Sequence, residues 1–544
     1  MSLFNDSVPG AGLSVPLASE DWACRTPVAP APLAQASKSA VSPTSKSAGP
    51  PNRPTPFTFP TPCTRRTPCR FGNLRPSLEI PAVLYRPRAL TLRLASGACG
   101  LLALSWLAAG LSAAEPTSEL RLLARTYNSG FELAHDTYNG LSTASDGRIY
   151  YVLSSESYEV GAQMYCFDPA TSKIRHLGDL TEACGEKGLK SIVQGKSHVN
   201  FVESQGKLYF STHIGYYSII DGMEKMGIPP AGYTPYPGGH LLSYDMATGK
   251  FSDFGVVPNR EGVLSMTMDT QRGRIYGLTW PTGSFFRYDL ATKEMKNMGA
   301  MCAEGENGKG AAYRTICRSI VVNPEDGSAY FTTSEGTILR YRYAEDKVEP
   351  VAGEDMKKDY FGLYDPTSPG HMGYNWRQVV WRPADHWVYG VHGNSGYLFR
   401  FDPTGLRVEV LDRITSAPSK RTGMFDQFSY GYLGFTMGPD GRTLHYLTGG
   451  PIYVDGKRVT GKSTTAMGEA KGVEDLHLVT YDVERHEYRD NGSVFYENGQ
   501  RPLYVNSIAV GKDGTVYTLA RITEGGRTRA DLISFPGPLK RGSK

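Results

Sequence analysis

From about Gly130 to the C-terminus, short apolar stretches alternate with polar turns in a pattern that recurs seven times. Each unit reads as an apolar strand, an Asp-Gly-like turn, a strand near Tyr-Gly or Tyr-Phe, a Tyr-Asp pair and a short fourth strand. Residues 319–342 and 507–522 are two clear copies. Four short strands in each repeat of about 40–50 residues predict an all-β chain folded as a seven-bladed β-propeller. The units fall at 131–180, 195–256, 261–300, 314–353, 374–414, 428–496 and 501–535. The earlier strand 118–127 is expected to complete the last unit and close the ring, which removes exposed sheet edges.

Ahead of the repeats the pattern changes. Residues 1–85 are rich in Pro, Ser, Thr and Ala and hold too few large apolar side chains to offset the entropy of ordering. Residues 86–114 carry Arg86, Arg88 and Arg93, then an apolar run over 98–114 that ends in Ser112-Ala113-Ala114. The run is shorter than the roughly 20 residues of a membrane-spanning helix and has a small-residue cleavage pattern, so it reads as a signal peptide cut after Ala114. A leader this long before a signal peptide points to a start downstream of Met1, with a signal anchor as the alternative reading of the segment. Residues 115–544 would then form the propeller domain, secreted or periplasmic and free of the membrane after cleavage.

Charge changes the picture of partners. The whole chain carries a formal +4, but residues 1–114 hold +7, which leaves −3 for the repeats. A domain of that balance is no general polyanion binder, and nucleic acid is disfavoured. Cys166, Cys184, Cys302 and Cys317 follow the expected cut. Proximity in an exported chain predicts the disulfides Cys166–Cys184 and Cys302–Cys317, against a reading of four buried thiols.

The turns between first and second strands are short, whereas insertions at 214–239, 301–313, 355–373 and 450–473 all belong to the opposite end of the units. Long loops on one face of a rigid scaffold build binding sites. Aligning the first strands on Arg318 puts Asn139, His198, Leu264, Arg377, Leu433 and Asn506 at the same level, a ring at the mouth of the central channel. His198, Arg318 and Arg377 there call for an anionic ligand, because buried cations without a counter-charge are costly.

A second constellation is the hairpin over 197–213, turned at Gln205-Gly206. Pairing about that turn sets Ser204 opposite Lys207 and, followed outward, His198 opposite His213, with Cβ atoms about 4.5–5.5 Å apart. Two facing imidazoles suit acid–base catalysis. They also suit half of a divalent metal site completed by His240 or His371, or a structural pair bonded to backbone. Tyr374 and Trp376 flank Arg377 and offer faces for sugar stacking, or filling between units. The recurring Tyr-Asp pairs are structural. Asn491-Gly492-Ser493 fits a glycosylation triplet that also arises by chance.

The repeat count, the early histidine hairpin and the arginines on later first strands resemble the seven-bladed propeller polysaccharide lyases that act on uronic acids, the ulvan lyases and rhamnose–glucuronate lyases above all. The resemblance covers about 118–535. It implies β-elimination across C4–C5 of a uronate in an acidic polysaccharide or oligosaccharide, with no cofactor. It implies His198 and His213 as catalytic histidines and Arg318 and Arg377 as carboxylate or sugar contacts, with Asn200 and Trp376 beside them. The family's catalytic tyrosine corresponds to one of Tyr216, Tyr217, Tyr276 or Tyr374, of which Tyr216 and Tyr374 are carried forward. A non-catalytic glycan- or protein-binding propeller and a metal-dependent propeller enzyme are the competing readings.

Overall fold

The computed structural model describes residues 120–422, 434–451, 453–454, 457–458, 474–502 and 505–540. The segments 1–85 and 86–114, the ring position Leu433 and most of insertion 450–473 lie outside the described residues. Among the described residues no helix is long and apolar enough to cross a membrane.

The fold is all-β and is built from small antiparallel sheets, as β-propellers are. Five sheets have four strands each and follow one another along the chain. They occupy Leu141–Asp179, Val202–Val256, Gly262–Ala300, Val321–Asp355 and Trp376–Arg413. An eight-stranded sheet holds two further four-strand sets. One is Phe435–Met437, Thr443–Pro451, Glu474–Asp482 and Glu487–Tyr496; the other is Ala509–Val510, Thr515–Glu524, Arg527–Pro536 and the early strand Arg121–Thr126. Arg121–Ala124 pairs in parallel with Ser493–Tyr496, and Arg125 and Thr126 pair antiparallel with Ser534 and Ile533.

Local chemistry explains the repetition. The first turn in each sheet uses residues that tolerate positive φ, such as Gly147, Gly327, Gly441 and Gly514. The Tyr-Asp pairs end the third strands, and the aspartate accepts backbone N–H groups two and three residues on, as Asp245, Asp289 and Asp482 do. That bond turns the chain into the fourth strand. The tyrosines of the second strands (Tyr150, Tyr209, Tyr276, Tyr330, Tyr389, Tyr446 and Tyr517) are all buried and fill the space between neighbouring sheets.

The expected disulfides are overturned here. All four cysteines are free, buried thiols. Cys184 closes the short helix Leu180–Ala183 and turns to His240, while Cys166 sits mid-strand beside Tyr150. The Cys317 thiol donates to the Ser319 carbonyl at 3.2 Å, so neither expected pair shares a bond. Asn491 is no glycan acceptor surface, since it is buried and its amide donates to the Leu478 carbonyl and Thr480 Oγ1.

Candidate functional site

Gln205 and Gly206 both have positive φ, and the tight turn they make fixes the hairpin register Val202–Tyr209, Glu203–Leu208, Ser204–Lys207. The register slips by two residues further out. His213 bridges to Lys196, not His198, with N–H···O bonds of 3.1 and 2.8 Å in both directions. The cause is tertiary. Residues 197–201 lean onto the first sheet, where the Ser142 hydroxyl and the Phe201 backbone exchange bonds of 3.0 and 3.3 Å. Gly195 and Gly215 then let the strands close beyond the detour, since a Cβ on Gly195 would meet the Gly215 Cα at 2.5 Å.

The imidazoles still meet. The rings of His198 and His213 lie 5.8 Å apart between centroids. His198 Nδ1 donates to the Leu264 carbonyl at 2.9 Å and His213 Nδ1 to the Ile214 carbonyl at 2.8 Å. A carbonyl only accepts, so each Nδ1 carries the proton and each Nε2 presents a lone pair. Burial, then the charges of Lys196, Arg318 and Arg377, hold His198 well below the usual histidine range. Burial and Lys196 do the same for His213. Both rings are neutral. Gly262 makes room for His213, because a Cβ there would come within 2.7 Å of the ring.

Lys196 is the residue that the sequence reading missed. Its Nζ lies 3.8 Å from the ring centre of Tyr138 and 4.5 Å from that of Tyr217. Tyr138 in turn packs on His198 at 5.2 Å. Burial lowers the Lys196 ammonium to about 8, opposed by Glu224, Asp136 and Glu156 and reinforced by Arg318. Its place two residues before His198 was the available signal, and strand periodicity does not supply it, because 197–201 are not a regular strand.

The arginines are partly spoken for. Arg318 forms a 2.6 Å ion pair with Glu306, a buried residue of the 301–313 insertion, and donates to the Ile316 carbonyl at 2.8 Å. Glu306 also accepts from Trp280 Nε1 at 3.0 Å and the Ile316 N–H at 3.1 Å. The cation expected to await an anionic ligand thus has a protein counter-charge. Arg377 is buried and reaches Asn506 Oδ1 at 3.4 Å and Met372 Sδ at 3.5 Å. A cavity of about 140 Å³ is lined by Asn139, His198, Asn200, Arg318, Ser319 and Gln378, among others. His198, Arg318 and Asn139 are therefore brought together as aligned, with Asn200 beside them.

Other candidates sit elsewhere. Tyr216 turns away and packs edge-on against Tyr158; its neighbour Tyr217 faces His213, with its hydroxyl 3.3 Å from Nδ1 and donating to the Ile214 carbonyl at 2.9 Å. Tyr374 is buried against Tyr364, and its hydroxyl accepts the Tyr364 N–H. Trp376 is fully buried, stacks on Phe399 and donates Nε1 to the Ser319 carbonyl at 2.8 Å. It fills the core and offers no face to a sugar. Tyr276 donates to the Gly327 carbonyl inside the core.

The proposed third metal ligands are also committed. His240 Nδ1 meets both Asp253 oxygens at 2.9 Å and its Nε2 meets Glu186 at 3.0 Å. Burial works against its charge, but hydrogen bonds with Asp253, Cys184 and Glu186 prevail and push it up to about 12. His371 Nδ1 accepts the Gly373 N–H at 2.9 Å. Neither completes a site with His198 and His213. Among the described residues, the metal-capable cluster is His135, Asp136 and Glu156, in which Asp136 already pairs with Arg521.

No family model matches the chain, and no curated protein is similar to it in sequence. Among solved structures, a chain of a mitotic checkpoint complex is similar at a TM-score of 0.41 and 10% identity, over 83% of this chain and 98% of that one. A likeness that slight bears on neither fold nor function.

Proposed function

We propose that the seven four-strand sets are the blades of one propeller closed by Arg121–Thr126, and that its channel mouth is the active site of an exported lyase. The substrate is a uronic-acid-containing polysaccharide or oligosaccharide, cleaved by β-elimination. Proximity of Leu141–Thr143 to Ala509–Val510 supports the closure. One observation carries the activity: the neutral His198, its Nε2 lone pair available, lies in the field of Lys196, Arg318 and Arg377.

The chemistry follows from that arrangement. A uronate carboxylate entering the mouth meets positive charge, which acidifies the neighbouring C5 proton. The same carboxylate offsets the cations that depress His198, so substrate binding raises the base toward its working range. His198 Nε2 takes the C5 proton, the freed pair forms the C4–C5 double bond, and the C4–O bond breaks. His213, held by Ile214 and packed on His198, fixes the pocket wall.

The depressed basicity of both imidazoles favours a second reading, a propeller that holds an anionic glycan without cleaving it. Mixing the purified protein with a panel of uronate polysaccharides and oligosaccharides separates the two. The lyase reading expects ultraviolet absorbance from the unsaturated uronate, reduced about 10³-fold in His198→Ala with the melting transition retained. Saturable binding of a uronate glycan with no absorbance change anywhere in the panel would establish the second reading instead.

A further inference from the structure

Elimination needs a proton for the departing oxygen as well as a base, and the groups described so far leave that donor unassigned. His198 and His213 are neutral, and each spends its one N–H on a carbonyl. The Tyr217 hydroxyl donates to the Ile214 carbonyl, and burial raises it well above the usual tyrosine range. It is a poor acid. Arginine does not release a proton in proteins.

We propose that Lys196 is the general acid of the reaction, delivering a proton from Nζ to the leaving C4 oxygen. The inference rests on the lyase reading above and adds a residue and a role to it. Geometry is the first support. The backbone bridge from Lys196 to His213, whose ring packs on His198, sets the ammonium beside the base. Tyr138 links them, with the Lys196 Nζ 3.8 Å from its ring centre and the His198 ring 5.2 Å from it.

The aromatic faces are the second support. A π face stabilises a buried ammonium without accepting its proton. An ammonium has three N–H bonds. The Lys196 Nζ contacts two ring faces, Tyr138 and Tyr217, which do not use up all three. A carboxylate partner would have tied the proton down. Burial beneath these rings also makes Lys196 a stronger acid than an ordinary lysine, at about 8. Glu224, Asp136 and Glu156 oppose that shift, and Arg318 adds to it.

The step balances. The C5–H bond breaks and its proton passes to His198 Nε2. The C4–O bond breaks as the C4–C5 double bond forms. The departing oxygen takes a proton from Lys196, leaving a neutral amine. The proton on His198 then returns to Lys196 through solvent, and the enzyme is restored without any oxidant or metal.

The test compares two uronate glycosides, one with a sugar at O4 and one with 4-nitrophenol, whose oxide leaves without a proton. For the sugar substrate, Lys196→Met is expected to lower kcat about 10²–10⁴-fold with little change in KM. The nitrophenyl substrate should restore most of that loss in Lys196→Met and none of the loss in His198→Ala. Wild-type activity on the sugar substrate should fall as pH rises through about 8, and that limb should be absent with the nitrophenyl substrate. Melting curves check that Lys196→Met folds, and the wild-type dependence on leaving group tests the role without any variant. Equal losses on both substrates, or an alkaline limb shared by both, would overturn the assignment while sparing the lyase. Inactivity of wild type on both would remove the lyase reading itself.

Discussion

The second sheet holds two buried histidine clusters that face opposite ways in charge. In the candidate site, His198 and His213 give their Nδ1 protons to carbonyls, and burial keeps both rings neutral. Next to them, at the start of the strand His240–Asp245, His240 is held between Asp253 and Glu186 and remains charged. The eight-stranded sheet repeats this second device. His477 Nδ1 meets both Asp490 oxygens at 3.0–3.1 Å, with the same thirteen-residue separation and the same bulge after the histidine. Gly255 and Gly492 follow the two aspartates at equivalent places, with φ of 102° and 107°, and each donates its N–H back to the carboxylate. A device that recurs away from that site is scaffold. Burial alone therefore does not mark a histidine as functional, and neither does a carbonyl partner, since buried His445 shares its Nδ1 with the Thr443 carbonyl at 3.1 Å; what sets His198 apart is the cavity that its ring lines. A carbonyl fixes a tautomer and leaves a base, whereas a carboxylate fixes a charge and staples two strands.

The sharpest way to break the contrast is a pair of variants. His213→Ala is expected to lower turnover at least about tenfold, because it empties the wall beside the base, and stability by about 2–4 kcal/mol, because it leaves a buried cavity. Asp490→Asn is expected to leave turnover unchanged and to lower unfolding stability by about 1.5–3 kcal/mol, the worth of a buried charge-assisted bond. Turnover assays and urea unfolding on both proteins read the difference. Loss of turnover in Asp490→Asn would erase the distinction.

A subtler variant moves the ring without removing it. Gly262→Ala brings a Cβ within 2.7 Å of the His213 imidazole. It should lower turnover about tenfold and stability by about 1–3 kcal/mol through overpacking. Unchanged kinetics would mean that the position of His213 is immaterial.

The smallest effect is in pH. Folded His198 and His213 sit well below 6.5, so the unfolded chain takes up protons first as pH falls through that range. Their burial therefore lowers stability progressively below about pH 6.5, and stability rises again toward neutrality. His240 has the opposite sign, contributing stability below about 6.5 that is lost only as pH rises through about 12. Unfolding free energies at about pH 5 and 7 should converge in His198→Gln/His213→Gln. An unchanged slope would show the rings to be accessible to protons in the folded state.

How far the sequence reveals this site depends on the range of the forces involved. The four-strand units, the Gln205-Gly206 turn and the first three pairs of its hairpin follow from local residues, and they appear as read. The slip that sets Lys196 opposite His213 does not, because Ser142 and the Gly195–Gly215 contact lie in other segments. Tyr216 and Tyr217 differ by one position, and only the start of the strand Tyr217–Ile220 decides which of them faces His213. Arg318 looked uncompensated because Glu306 arrives on a turn of irregular backbone that no periodicity announces. Trp376 and Tyr374 carry the same aromatic signal whether they stack on a sugar or fill a core, and packing assigned them to the core.

The strand Arg121–Thr126 has a consequence for how the molecule is made. Its antiparallel partners, Ser534 and Ile533, follow some four hundred residues later. The first described strand must wait, unpaired, until those residues have left the ribosome. Contacts this distant slow folding and leave an edge open to other chains in the interval. A circular permutant that carries residues 120–127 directly after the strand Arg527–Pro536 would turn the last step of assembly into a local hairpin.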